Sequence, residues 1–177
     1  MWNKIKFIYR AIYERMISKT RLAKELGVKF GERCDFMTRS WGSEPYLIEM
    51  GNDVTTSSGV KFVTHDGGMR VPRILYPQYK KADLFGKIII GNNVFIGMDA
   101  MILPGTTIGD NVIIGARSVV KGSVKSNSVY AGVLAKYICS IEEYVEKNKN
   151  KYDMTKHLNP EEKKKYLIEK YQKKEYK

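Results

Sequence analysis

One histidine is well suited to acid–base chemistry at neutral pH. His65 is followed directly by Asp66, whereas the second histidine, His157, lies in a polar stretch near the C-terminus. Imidazole titrates near neutrality, so its neutral form can act as a general base. For Asp66, orienting a ring or binding a substrate competes with a role in a local turn.

The residues after His65 form an irregular stretch, 68–83, that is rich in arginine and tyrosine. Its candidate contact residues are Arg70, Arg73, Tyr76 and Tyr79. Arginines can pair with phosphate or carboxylate, and tyrosines can stack on a ring or hydrogen-bond to it. Long loops inside compact domains are uncommon unless they are functional or disordered. We therefore predict a protruding, substrate-contacting loop, with packing against a neighbouring subunit as the alternative.

A six-residue period runs through the middle of the chain and predicts the scaffold that positions His65 and the loop. Aliphatic side chains recur without interruption at Ile90, Ile96, Ile102, Ile108, Ile114 and Val120. Compact side chains follow each of them four residues later, at Val94, Ala100, Thr106, Val112, Ser118 and Val124. Neither a helix nor an ordinary strand has this period. A coil of short strands joined by tight corners does, because each repeat returns the same side chain to the interior.

The corners and the upstream turns follow the same register. Asn92-Asn93 and Asp110-Asn111 suit corners that need left-handed backbone. Upstream, the leading positions are occupied by Met50, Thr56 and Phe62. Cys34 falls on an inward, compact position, which predicts a buried structural thiol. Leu84 also fits a leading position 22 residues after Phe62, which predicts one repeat plus an insertion of sixteen residues.

Helices are expected at both ends of the coil. Residues 2–17 place Ile5, Ile8, Ile12 and Met16 at helical spacing, with basic residues opposite. We expect this helix to cap the coil, with membrane docking as the alternative. Another helix is expected from about Ser140, and a further one follows Asn159-Pro160, where asparagine can cap and proline can start it.

These elements predict one domain with extensions. The N-terminal helix occupies 1–26, the coil with its inserted loop occupies 27–138, and a basic helical tail occupies 139–177. The net charge of +12 is concentrated at the ends, with seven Lys or Arg against two acids in 1–26 and eleven Lys against five acids in 147–177. A nucleic-acid binder would carry that excess on its folded body, so no nucleic-acid partner is expected. Weak peripheral contact of the basic ends with an anionic membrane is an alternative to simple solvation.

The cysteine content and the hydropathy indicate in which cellular compartment the protein is expected. Cys34 and Cys139 form neither a metal-binding pattern nor a disulfide framework, and charged residues interrupt the apolar N-terminus. We expect a cytoplasmic protein, with the inner face of the membrane as the alternative site.

The sequence resembles the hexapeptide-repeat acyltransferase superfamily over roughly residues 27–139. Four segments look like the branch that acetylates capsule, lipopolysaccharide and related sugars: 43–48 (SEPYLI), 64–68 (THDGG), 90–97 (IGNNVFIG) and 130–133 (YAGV). The resemblance implies a mainly β protein, a left-handed parallel β-helix. It also implies a homotrimer that binds acetyl-CoA in the groove between neighbouring coils, without a metal.

Roles for individual residues follow from the same resemblance. His65 would accept the proton of a saccharide or sugar-nucleotide hydroxyl as it attacks the thioester, and Glu44 would orient the imidazole or hold a hydroxyl, unless it is only a corner residue. An oxyanion donor is expected from a backbone N–H such as that of Gly97. Alignment by register with sugar acetyltransferases of this family predicts cofactor contacts at Met98, Ala116, Lys121 and Lys136, and Gly97 is counted with them as a cofactor-binding residue.

Three other functions compete with O-acetylation. N-acetylation of a nucleotide-linked amino sugar would use the same coil and cofactor. A carbonic anhydrase of this architecture would need several histidines to hold zinc, and the coil has one. A non-catalytic binding module would be expected to have lost the histidine at the loop.

Overall fold

The computed structural model describes residue 9 and residues 12–172. The chain divides into two compact units, Met1–Tyr144 and Val145–Lys177. The first unit is a coil of short β-strands, and the second is helical. Among the described residues, no helix combines the length and apolar character needed to cross a bilayer.

The strands of the coil form three sheets. Sheet 1 contains Ile48–Met50, Ile88–Ile90, Thr107–Ile108 and Ser123–Val124. Sheet 2 contains Asp35–Phe36, Val54–Thr56, Val94–Ile96, Val112–Ile114, Ser128–Ala131 and Lys136–Ser140. Sheet 3 contains Lys61–Phe62, Met101–Ile102 and Val119–Val120. All pairs are parallel except the last one of sheet 2.

The six-residue period corresponds to one side of this three-sided coil. Val94 pairs with Val112 and Ile90 pairs with Ile108, so a regular turn contains eighteen residues. The six predicted leading residues from Ile90 to Val120 are 0–2% exposed. The prediction of a parallel coil with these side chains inside is confirmed.

Left-handed backbone occurs at the corners, as predicted. Between sheets 1 and 2, Asn93 and Asn111 have φ of 52° and 54°. Their side chains form a ladder, in which Asn93 donates to Asn111 (2.9 Å) and Asn111 donates to Asn127 (2.8 Å). Asparagine tolerates this conformation at lower cost than most residues, so it makes the tight corner possible.

The inserted loop enlarges one corner and leaves the strands in register. Met50 pairs with Ile90, forty residues later, so this turn contains 22 residues more than a regular one. The prediction for Leu84 was wrong, because this side chain is exposed on the loop and the sheet resumes with buried Ile88. The loop is ordered into short helical pieces, Gly67–Met69, Arg70–Leu75 and Pro77–Tyr79.

In the described part of the chain, the N-terminal end of the coil is covered by a helix that follows the predicted one. Residues 12–16 are helical, but this helix then ends. A new helix, α1 (Lys19–Glu25), begins after the N-cap residue Ser18. Ala23 of α1 is part of the core, whereas Ile12 and Met16 are exposed. Of the predicted apolar stripe, Ile12 and Met16 therefore do not face this core, and Ile5 and Ile8 lie outside the described residues.

The other end of the coil closes with a hairpin that the sequence did not predict. Strand Ser128–Ala131 continues the parallel sheet 2, and Lys136–Ser140 returns antiparallel beside it. A helix, Ile141–Asn148, follows, close to the predicted start at Ser140. Near the first turns, Cys34 is partly buried against the core and its Sγ lies 3.4 Å from the carbonyl oxygen of Gly51.

The helical unit contains one long helix, Pro160–Gln172. Asn159 caps it as predicted, because its Oδ1 accepts hydrogen bonds from the backbone N–H groups of Glu161 (3.0 Å) and Glu162 (2.9 Å). The side chain of Glu162 in turn accepts the N–H of Asn159 at 3.0 Å. This reciprocal capping fixes where the helix begins.

Neighbouring isoleucines of one strand provide a test of the inward register. Ile90 is 2% exposed and Ile89 is 41% exposed. Ile90→Ala should lower the free energy of unfolding by about 2 to 5 kcal/mol because it leaves a cavity, and Ile89→Ala should cost under about 1 kcal/mol. Urea denaturation at equal chain concentration measures both. Equal losses would contradict the inward placement.

Candidate active site

His65 lies at the foot of the inserted loop, where two chain segments meet. The N–H of Gly86 donates to the carbonyl of Thr64 (2.9 Å), and the N–H of Asp66 donates to the carbonyl of Leu84 (2.8 Å). His65 and Phe85 face each other in an antiparallel bridge between these bonds. This pairing of residues 64–66 with residues 84–86, the neck of the loop, fixes the backbone of His65. Thr64 therefore points into the core, and the imidazole stays part-exposed.

A carboxylate from the preceding turn contacts the imidazole. Glu44 Oε2 lies 3.1 Å from His65 Nδ1, and the same oxygen accepts a hydrogen bond of 2.6 Å from the Thr64 hydroxyl. The Thr64 hydrogen bond, and to a lesser degree the His65 contact, holds the pKa of the Glu44 carboxyl below its usual value, although burial opposes this. An ionised Glu44 requires a proton on Nδ1, which leaves the Nε2 lone pair of a neutral imidazole free to accept another.

The imidazole borders a pocket of about 360 Å³. Its lining comes from the loop neck and from the same corner of the next two turns: Val63, His65, Asp66, Leu84, Phe85, Gly86, Leu103, Pro104, Gly105 and Lys121. Most of these side chains are apolar, and Lys121 supplies a cation. The arrangement can hold an uncharged or anionic group beside a base.

Other predicted contact residues of the loop are engaged within the loop. Asp66 Oδ1 accepts the N–H of Gly68 at 2.8 Å, which is the turn role considered for it, although Asp66 also lines the pocket. Arg73 donates to the carbonyl of Ala82 (2.6 Å) and to the carboxylate of Asp83. Arg73 therefore stabilises the loop in this conformation.

The remaining predicted contact residues of the loop lie outside the lining of the described pocket. Tyr76 and Tyr79 make an edge-to-face contact with centroids 6.1 Å apart, and both are about half exposed. Arg70 is exposed at the start of the short loop helix. Within residues 12–172, these three side chains are outside the lining of the pocket at His65.

The predicted donor-binding residues lie at two different corners. Lys121 lines the His65 pocket, whereas Met98 and Ala116 are exposed at the corner between sheets 2 and 3. Lys136 is exposed on the final strand of sheet 2. One chain therefore does not bring Lys121 and Ala116 into a single pocket.

Gly97 does not have the free amide that an oxyanion donor needs. Its N–H donates to the carbonyl of Ile114 at 2.8 Å, as part of the stacking of turns. A side chain at this position would also collide, because a Cβ would lie 2.6 Å from the backbone nitrogen of Ala116. The requirement for glycine here is therefore structural, and the prediction of an oxyanion donor at Gly97 does not fit this geometry.

Two parts of the site were not predicted from the sequence. Thr64 was overlooked although it follows Glu44 by twenty residues, one turn of this part of the coil, since Asp35 pairs with Thr55. The apolar wall formed by Phe85, Leu103 and Pro104 had no such signal, because it depends on how two turns stack. No group of three or more His, Cys, Asp or Glu side chains in the described part of the chain is arranged to hold a metal ion.

The coil and its period define the class of protein. A family model described as Bacterial transferase hexapeptide (six repeats) matches residues 87–122. The chain is also 47% identical over 175 residues to Protein CapG of Staphylococcus aureus, a match that covers 97% of this chain and 99% of that protein. The chain therefore belongs to the hexapeptide-repeat transferase family and is similar to CapG over nearly the whole length of that protein.

Relatives with a stated activity include several acetyltransferases. The galactoside O-acetyltransferase of Escherichia coli K12 is 50% identical over 56 residues, which cover 32% of this chain and 28% of that enzyme. The crystal structure of a maltose O-acetyltransferase from Clostridium difficile 630 superposes with a TM-score of 0.53 at 27% identity, covering 64% of this chain and 59% of that one. The chain is an enzyme of the acetyltransferase class.

The lowered pKa of Glu44 predicts a pH-dependent contribution to stability. A depressed carboxyl pKa stabilises the fold above the ordinary value of 4.5, and this contribution is lost as the pH falls through the lower, folded-state value. Wild type should therefore be more stable than Glu44→Gln at pH 7, and the difference should shrink in urea denaturation at about pH 3. Glu32→Gln, at an exposed carboxylate, is the control. An unchanged difference at both pH values would contradict the interpretation.

Proposed function

We propose that this enzyme transfers an acetyl group from acetyl-CoA to a hydroxyl group of a saccharide or saccharide precursor, with His65 as the general base. The observation that carries the proposal is the contact of His65 with Glu44 at the edge of a pocket, on the coil of an acetyltransferase family. A base held by a carboxylate, beside a mostly apolar cavity, is what direct attack of a hydroxyl on a thioester requires.

His65 has two successive tasks in this mechanism. Its Nε2 takes the proton of the acceptor hydroxyl while the oxygen forms a bond to the thioester carbonyl carbon. The imidazolium is stabilised by Glu44 across the 3.1 Å contact. As the carbon–sulfur bond breaks, the imidazolium returns the proton to the departing thiolate, so His65 ends neutral.

The donor would bind along both of the corners described above. Ala116 presents only a methyl group there, which lets an extended arm approach the backbone, and Met98 lies one turn below it. Lys121 and Lys136 are exposed cations suited to the phosphates of the nucleotide. Buried Gly97 keeps the turns close enough for this surface to remain flat. Acetyl-CoA supplies the activated acyl group.

A homotrimer of left-handed coils is the assembly we propose. In a cyclic trimer the Lys121 corner of one coil can face the Ala116 corner of the next, which would form three equivalent grooves. The loop also exposes Val71, Ile74 and Leu75, which a neighbouring subunit could cover. The hand of the coil follows the family resemblance.

The acceptor is proposed to be a sugar because of the site and the relatives. The ring of Phe85 lies in the pocket wall 6.3 Å from the imidazole, where it could pack on the apolar face of a pyranose. Asp66, which follows His65 and also lines the pocket, is a polar group that could bind the acceptor. Arg70, Tyr76 and Tyr79 would reach the rest of a larger acceptor if the loop closed. Relatives named as galactoside and maltose O-acetyltransferases acetylate hydroxyl groups of sugars.

Removal of the base should abolish most of the activity without unfolding the protein. His65→Asn should lower kcat by about two orders of magnitude or more, since general-base catalysis contributes that much. Transfer from labelled acetyl-CoA to a panel of sugars, sugar nucleotides and amino sugars measures it, and His157→Asn is the matched control. Wild-type turnover in His65→Asn would exclude His65 as the base, and transfer only to amines would contradict O-acetylation.

Subunit mixing tests the shared groove. His65→Asn and Ala116→Trp should each be inactive alone, because one lacks the base and the other obstructs the donor. Co-refolded in equal amounts, they should regain about a quarter of wild-type activity, since that share of grooves in random trimers combines an intact His65 with an intact Ala116. Light scattering should give three chains per particle. A mixture as inactive as its components would contradict a groove shared in this way.

A further inference from the structure

The Thr64 side chain occupies an unusual position for a hydroxyl group. Thr64 is fully buried, one residue before His65 and on the opposite side of the chain. Its Oγ1 donates to Glu44 Oε2 at 2.6 Å and accepts the backbone N–H of Glu44 at 3.3 Å. Both bonds go to the same residue, so this hydroxyl holds Glu44 by its backbone and by its carboxylate.

The chain around Glu44 is shaped to allow this contact. Gly42 has φ of 73°, and a Cβ at this position would lie 2.8 Å from Thr64 Oγ1 and 3.0 Å from the carbonyl oxygen of Phe62. Next to it, the buried ring of Trp41 stacks on Phe62 with centroids 5.0 Å apart. The segment before Glu44 therefore packs directly against the buried side of Thr64.

One carboxylate oxygen serves both neighbours. Glu44 Oε2 receives the Thr64 hydroxyl hydrogen and also contacts His65 Nδ1. The strong, short bond to Thr64 fixes the position of this oxygen, and the oxygen in turn selects which imidazole nitrogen carries the proton. Without the hydroxyl, the carboxylate could rotate towards solvent. It would then no longer determine which imidazole nitrogen carries the proton.

We propose that Thr64 is a positioning residue that keeps His65 in the Nδ1–H form through Glu44, with Nε2 free as the base. This inference rests on the proposed role of His65. Thr64 itself does not touch the reacting groups. Its contribution is transmitted through one shared oxygen atom, so it disappears when the Glu44 carboxylate is removed.

Nitrogen-15 NMR of the histidine rings tests the proposal without any substrate. The chain has two histidines, so a His157→Asn background leaves the signals of His65 alone. We expect the neutral ring to be in the Nδ1–H form in this background and to shift towards the Nε2–H form in Thr64→Val, which keeps the shape of threonine but has no hydroxyl. Thr64→Ser should keep the Nδ1–H form. An Nε2–H ring with Thr64 intact, or one unchanged in Thr64→Val, would overturn the proposal.

Kinetics separate positioning from a purely structural role. Thr64→Val should lower kcat about tenfold with little change in the KM for acetyl-CoA, and Thr64→Ser should restore it. In a Glu44→Ala background the same change should have no further effect, because no carboxylate remains to be held. If Thr64→Val lowered kcat by the same factor with and without the Glu44 carboxylate, the proposal would be overturned. If Thr64→Val unfolds, as circular dichroism would show, Thr64→Ala replaces it in both experiments.

If no sugar accepts an acetyl group, the kinetic arm fails together with the proposed function. The NMR arm still decides the role of Thr64, because the imidazole tautomer is measured in the free enzyme. Failure of the two proposals is therefore distinguishable.

Discussion

The pairing of each turn of the coil with the next in strict register is the constraint on which the rest of the structure depends. Because Ile96 pairs with Ile114 and Val94 with Val112, identical positions of successive turns stack directly. Stacking brings the backbones so close that a Cβ at Gly91 would lie 2.9 Å from the carbonyl oxygen of Gly109. Strands therefore cannot gain or lose a residue without moving the whole interior, and extra chain can enter only at a corner. The large loop enters there and leaves the register intact.

Stacking also explains how distant residues form one site. The corner between sheets 3 and 1 receives Glu44 from one turn, His65 from the next and Lys121 from a later one. The stacking of turns brings them together: Glu44 and Lys121 lie at corners of the coil, and His65 is held where the inserted loop leaves and rejoins it. Such a scaffold positions a base and its carboxylate rigidly, and rigid positioning is what efficient proton transfer requires.

Particular residues show which features the sequence could reveal. The inward isoleucines were predictable because burial repeats with a fixed period. His65 and Glu44 could be singled out by residue type, but their 3.1 Å contact could not, since it depends on the length of an irregular early turn. Leu84 was wrongly assigned to the core because a leucine in a pocket wall and a leucine in a core fit the same six-residue pattern. Whether the Gly97 N–H is free or hydrogen-bonded depends on how the turns stack, and no feature of the sequence indicates it.

The antiparallel strand Lys136–Ser140 has a consequence for how copies of the chain behave in concentrated solution. A stack of parallel strands ends in unpaired backbone groups, and another coil could in principle continue the stack and build a fibre. In sheet 2 the outermost strand runs the opposite way and carries exposed Lys136, so its edge no longer matches the repeat. At the opposite end, α1 contributes Ala23 to the core and covers the first turn. At sheet 2 and at the first turn the repeat is thus interrupted, which hinders end-to-end stacking of one coil on another.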